Sequence, residues 1–152
     1  MVMNEKDSEI LSILRENAVT PKAEIARRVG LAPSVVADRI RRLEESGVIK
    51  GYETRLDPKA MGLPLLTFIF VSELKPNGGF DTGGALAKVE GVEEVHKIAG
   101  DDCFLLKLRA AGTEELSAIL DDQINAIPTV SGVRTSIVLK SIAEGSTNSL
   151  SP

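Results

Sequence analysis

A single cysteine, Cys103, excludes an internal disulfide framework and fits a reducing compartment. A single histidine, His96, joins it, and one His with one Cys cannot build a zinc site or a Cys–His pair of recognisable spacing. No apolar run approaches the roughly 20 residues of a membrane span, and the first residues lack a signal-peptide h-region, so the expected compartment is the cytoplasm. Gly-rich phosphate loops, nucleophile elbows and metal-ligand spacings are missing as well. The acidic doublets Glu93-Glu94, Asp101-Asp102, Glu114-Glu115 and Asp121-Asp122 are the only hint of acid–base chemistry. Neighbours on a strand point to opposite faces and on a helix diverge by about 100°, so the doublets read as solvated surface. No enzyme, cofactor or metal is expected.

What is present suits one ordinary domain or two small ones: 152 residues, 43% hydrophobic and 26% charged, as in soluble globular proteins. The net charge of −4 is distributed unevenly. Residues 1–58 are neutral, and the deficit lies entirely in 59–152. Between Lys22 and Arg42 the sign reverses, where Lys22, Arg27, Arg28, Arg39, Arg41 and Arg42 oppose only Glu24 and Asp38. Such a cationic stretch suits a phosphate backbone. A solvated helix face with Arg–Glu pairs accounts for the charge alone equally well.

The first half reads as three short helices. Asn4 is a capping residue before Ile10, Leu11 and Leu14, which recur at helical spacing. Thr20-Pro21 reads as an N-cap followed by proline at the first helical position, opening a helix that buries Ile25, Ala26 and Val29 and stops at Gly30. Pro33 opens the third helix, with a buried stripe of Val36, Ile40 and Leu43 and a terminating Gly47. Val48 to Arg55 reads as a short extended segment. These elements form a DNA-binding domain over 1–55, with the helix-turn-helix at about 22–41, and the Pro- and Gly-containing stretch 56–64 reads as a linker.

From Leu65 the pattern changes. Leu65 to Leu74 is a near-continuous apolar run, followed by a turn at Asn77-Gly78-Gly79 and about ten helical residues near Asp81 to Glu90. Val92 to Ala99 reads as a strand, the turn Gly100-Asp101-Asp102 follows, and Phe104, Leu106 and Leu108 alternate with Leu105, Lys107 and Arg109. Thr113 caps a helix bearing Leu116, Ile119, Leu120 and Ile124, and a last strand alternates Val133, Thr135, Ile137 and Leu139. The order β-α-β-β-α-β over 65–142 is the split βαβ, ferredoxin-like arrangement, making the whole chain α+β. Its four-stranded antiparallel sheet carries helices on one face, so the uncovered apolar face predicts a homodimer. Residues 143–152 are small and polar, and read as a disordered tail.

Five stretches carry a family signature: NEKDSEILSILRENA, AEIARRVGLAPSVVADRIRRLEESGVIKGY, LDPKAMG, AGDDCFLLKL and GVRTSIVLK. Over about residues 3–142 the chain resembles the Lrp/AsnC (leucine-responsive, or feast/famine) family of transcription regulators. The resemblance implies a winged-helix-like DNA-binding domain and an effector-binding, oligomerising domain. It further implies dimers through the C-terminal sheets, often assembled into tetramers or octamers, and an amino acid or related metabolite as effector. An architectural DNA-binding protein that needs no effector is the alternative reading.

With Val36, Ile40 and Leu43 buried, the third helix presents Val35, Asp38, Arg39 and Arg42 on its other face, with Ser34 and Val35 near the end that enters the major groove. Arg39 is the expected base reader, since its fork matches two acceptors of guanine. Lys22, Arg27, Arg28, Arg41 and Arg42 are expected at phosphates. For each arginine the competing reading is a surface ion pair, such as Arg41 with Glu45. Asp38 repels phosphate unless an arginine pairs with it or it accepts from a cytosine amino group. Ala32 departs from the family, which places a capping Ser or Thr there.

The turn Ala99-Gly100-Asp101-Asp102-Cys103 corresponds to the family's effector site. Gly100 permits close approach of a ligand to the backbone, adjacent N–H groups suit a carboxylate, and Asp101 or Asp102 suits an ammonium group. Cys103 stands where the family places an acid and Phe104 where it has Tyr or Phe. Thr135 and Ser136 are further candidates for the same pocket. The competing reading is a hairpin whose aspartates bond their own backbone.

Overall fold

The computed structural model describes residues 3–74 and 79–144. Asn77 and Gly78 of the expected turn at Asn77-Gly78-Gly79, and residues 145–152 of the expected tail 143–152, lie outside the described residues. The chain divides into two compact units, the boundary falling between Thr54 and Arg55 and the second unit running to Ile142.

In the first unit α1 spans Glu5–Glu16, α2 Lys22–Val29 and α3 Pro33–Glu45. Asn4 caps α1 reciprocally: its side chain accepts from the Asp7 N–H and the Asp7 carboxylate accepts from the Asn4 N–H. Ile10, Ile13, Ile25, Ala26, Val29, Val36 and Ile40 pack into one core. Ile10 and Ile25 are wholly buried, each contributing about 1.5–3 kcal/mol relative to an exposed side chain. Gly30 (φ 70°) and Gly47 (φ 74°) take the left-handed conformation that ends α2 and α3.

Two capping expectations differ. Pro21 itself is the N-cap of α2, with extended backbone and no side-chain cap, while the Thr20 hydroxyl donates to the Asn17 carbonyl 2.7 Å away and closes the end of α1. Val48 to Arg55 forms no strand. The expected linker 56–64 is ordered by a turn in which the N–H groups of Met61 and Leu63 donate to the carbonyls of Asp57 and Pro58.

The second unit is a four-stranded sheet in the order β2-β3-β1-β4, with β1 at Leu65–Glu73, β2 at Val92–Lys97, β3 at Phe104–Ala110 and β4 at Val130–Ile137. All three pairings are antiparallel, and the βαββαβ chain order makes this the ferredoxin-like arrangement. Two helical segments, α4 (Thr82–Leu86) and α5 (Thr113–Ala118, continuing as π-helix through Ile119–Ile124), join Ile69, Val71, Phe104, Leu106 and Leu108 in the core.

α4 is half the expected length. The Asp81 carboxylate caps it by accepting from the Gly84 N–H at 2.9 Å, and a Cβ at residue 84 would collide with that carboxylate. Gly112, not Thr113, is the N-cap of α5, and the Glu115 carboxylate accepts from the Ala111 N–H. Thr82 and Thr129, both buried, bond through their hydroxyls at 2.7 Å.

Strand alternation leaves Phe68 and Phe70 of β1, Leu105 of β3 and Ser136 of β4 on the face opposite this core. Phe68, Phe70 and Leu105 remain half-buried there. Among the described residues no helix is long and apolar enough to cross a membrane.

Candidate nucleic-acid interface and effector turn

α3 buries Val36, Ile40 and Leu43 and leaves Ser34, Val35, Arg41 and Arg42 exposed. Its N-cap, Ala32, makes no side-chain hydrogen bond. Asp38 accepts from Arg41 at 2.5 Å and lies 2.8 Å from Arg42. The hydrogen bond from Arg41, with the nearby charges of Arg42 and Arg39, outweighs partial burial and holds the Asp38 carboxyl below the usual carboxylate range. The acid that threatened to repel phosphate is thus neutralised by two neighbours, one of which, Arg41, also bonds Glu45 at 2.8 Å.

Arg39, the expected base reader, is engaged within its own unit. Its Nη1 donates to Asp7 Oδ1 at 2.7 Å and to Asn4 Oδ1 at 3.2 Å, tying α3 to the capped start of α1. The Asp7 side chain is 8% exposed. The other expected phosphate contacts are surface pairs: Arg27 with Glu24 at 2.6 Å and Arg28 with Glu16 at 3.3 Å, while Lys22 is exposed. Pairs of that kind are worth about 0–1 kcal/mol and exchange readily for phosphate oxygens. The Arg39–Asp7 pair, with one partner buried, is of a different class.

Sequence reading also missed a cleft of about 400 Å³ in this unit, lined by Leu14, Ile25, Ile40 and Tyr52 among others. At its rim Tyr52 donates to Glu44 at 2.8 Å, and partial burial, that hydrogen bond and the Glu44 charge push the phenol up to about 12.

In the second unit Gly100 sits at φ 138° with open space where a Cβ would point. Asp101 is exposed. Asp102 is already engaged, accepting from Ser72 Oγ at 3.1 Å and from Arg134 Nη2 at 2.7 Å. The Arg134 hydrogen bond, reinforced by Ser72 against partial burial, holds the Asp102 carboxyl below the usual range. The Arg134 guanidinium in turn lies over the Phe70 ring, 3.9 Å from its centroid. Cys103 donates its N–H to the Val71 carbonyl and packs against the core.

Thr135 pairs with Ile69 and Ser136 with Phe68, so the two point to opposite sheet faces. The residues brought to the turn instead are Ser72, Phe70 and Arg134. His96 is exposed and lies 3.0 Å from Glu94.

Residues 3–50 match the winged helix-turn-helix DNA-binding family and residues 68–147 the Lrp/AsnC ligand binding domain. The HTH-type transcriptional regulator FL11 of Pyrococcus horikoshii is 39% identical over 142 residues, 93% of each chain. The leucine-responsive regulatory protein of Haemophilus influenzae is 31% identical over 91% of this chain and 84% of its own. Two solved structures are alike in fold. The feast or famine regulatory protein of M. tuberculosis, complexed with L-methionine, superposes with TM-score 0.87 at 30% identity, covering 94% of this chain and 96% of its own. A transcriptional regulator of Neisseria meningitidis, also an L-methionine complex, gives TM-score 0.86 at 28% identity over 94% of each chain. The helix-turn-helix core, the ferredoxin-like sheet and the glycine-aspartate turn between β2 and β3 therefore occur together in a chain that belongs to the Lrp/AsnC family of transcription regulators.

Proposed function

We propose that the protein is a cytoplasmic homodimer that holds duplex DNA with α3 and adjusts its grip to an amino acid or related metabolite at the turn around Gly100. The observation that carries the DNA contact is the exposed face of α3, with Ser34 and Val35 uncovered and Arg41 and Arg42 held in exchangeable surface pairs. In this reading Lys22, Arg27, Arg28, Arg41 and Arg42 meet phosphates, and Arg39 positions α3 against α1. The half-buried Phe68, Phe70 and Leu105 on the helix-free sheet face support self-association. The L-methionine bound by two proteins of this fold supports an amino-acid effector, with Gly100 and Asp101 the open part of the turn.

One observation favours the effector-independent reading: Asp102, the carboxylate suited to an ammonium group, is already bonded to Arg134 within the chain.

Fluorescence anisotropy separates these readings. The duplex upstream of the protein's own gene is compared with a scrambled duplex, at two salt concentrations, with pooled amino acids added or withheld. A sequence-specific regulator binds the native duplex more tightly, weakens steeply with salt, and shifts on adding amino acids. Equal, weak binding to both duplexes favours an architectural protein, and no binding overturns the DNA-binding assignment.

A further inference from the structure

We propose that α3 reads thymine methyl groups through Val35, so that direct readout selects A·T pairs by apolar contact; the proposal rests on the DNA-binding reading above. From Gly30 to Ala37 the chain carries no charged side chain, and Ser34 is the only polar one. Ala32, Pro33 and Ser34 are exposed, and Val35 is 42% exposed. A recognition helix enters the major groove with this end against the base edges. The leading end of α3 therefore presents an aliphatic surface with one hydroxyl.

The arginines that would read guanine are held away from this end. Arg39 is bonded to Asp7 and Asn4, and Arg41 and Arg42 converge on Asp38. Arg42 stands seven residues beyond Val35, about 10 Å further along the helix axis. That suits a phosphate contact better than a base edge deep in the groove.

The one apolar group on a base edge in the major groove is the thymine C5-methyl. A valine in a helix holds essentially one rotamer, so its two methyls are presented with little freedom to lose on contact. Val35 contributes nothing to the buried stripe of α3, which is Val36, Ile40 and Leu43. It is instead 42% exposed in the first turn of α3. The Ser34 hydroxyl donates or accepts at either base pair, and by itself selects neither.

The test uses two duplexes of the same sequence, the region upstream of the gene, one with dT and the other with dU throughout, which removes the methyls alone. Wild-type protein should bind the dU duplex about three- to five-fold more weakly per half-site, the worth of burying one methyl group. Val35→Ala should bind the two duplexes alike while keeping the wild-type dependence on salt. Equal wild-type affinity for the two duplexes overturns the proposal. So does a dU penalty that Val35→Ala retains, since the methyls would then act through another side chain or through duplex shape. Failure of the wild type to bind either duplex in a salt-dependent way is a different result, and overturns the DNA-binding reading itself.

Discussion

Arg39 on α3 and Asp7 on α1 are 32 residues apart in the chain and 2.7 Å apart in the fold. Asp7 is also the third residue of α1 and half of its capping box. One carboxylate therefore closes a helix end and holds α3 to it. Replacing Arg39 by Ala leaves a nearly buried acid that keeps, among the described residues, the Asn4 N–H as its partner. We expect Arg39→Ala to lower the stability of the helical unit by about 2 kcal/mol, measured by urea melts followed by circular dichroism. Arg39→Lys should recover part of the loss, and Asp7→Ala combined with Arg39→Ala should cost less than the two single changes together. A base-reading Arg39 would instead leave the melt unchanged and weaken only the matched duplex.

Tyr52 is the only tyrosine and there is no tryptophan, so its ultraviolet titration is unmixed. Its phenol is raised from 10.0 to about 12 by partial burial first and by Glu44 second. The folded state thus favours the neutral phenol. Its contribution to stability is complete below pH 10.0, the ordinary value, and is lost as pH rises through about 12. Phenolate absorbance should show a midpoint near that upper value. Glu44→Gln should move the midpoint part of the way down, because burial remains. A wild-type midpoint at the ordinary value would mean that Tyr52 does not hold this contact in solution.

The order of elements was legible because each rests on local signals. Apolar spacing marked Ile10 and Leu14, or Val36, Ile40 and Leu43, and glycines at 30 and 47 ended their helices where a left-handed residue was needed. What was not legible depends on partners far along the chain. Nothing near Arg39 shows that Asp7 is beside it, and nothing near Asp102 points to Arg134. Thr135 and Ser136, neighbours on β4, fall on opposite sheet faces by the two-residue period of a strand. Thr20 misled for a local reason: Pro21 took the N-cap itself, and the threonine hydroxyl found the Asn17 carbonyl instead.

Phe68 tests the proposed dimer. It lies between Lys107 of β3 and Ser136 of β4, on the face opposite the helices, where it contributes little to the core of its own subunit. A charge at that point must be desolvated if the face is covered by a second copy. Sedimentation equilibrium should give a dimer for the wild type and a folded monomer for Phe68→Glu. A wild-type monomer at micromolar concentration, or a variant that dimerises as tightly as the wild type, would place self-association on another surface.

The pair of Asp102 with Arg134 sets the condition for any ammonium ligand at the turn. Since Arg134 and Ser72 lower the Asp102 carboxyl from its ordinary 3.8, the pair's contribution is complete above that value and is lost as pH falls through the folded value. The Asp102 carboxyl carbon shift should accordingly show a midpoint below 3.8, the ordinary value. Arg134→Gln should raise the Asp102 carboxyl toward the ordinary range, read from its carboxyl carbon shift, and remove the cation from the Phe70 ring. An amino acid whose ammonium must displace Arg134 to reach Asp102 should then bind more tightly to the variant in calorimetry. Weaker binding to Arg134→Gln would instead mean that the guanidinium itself holds the ligand, through its carboxylate, and that Asp102 serves to aim the arginine.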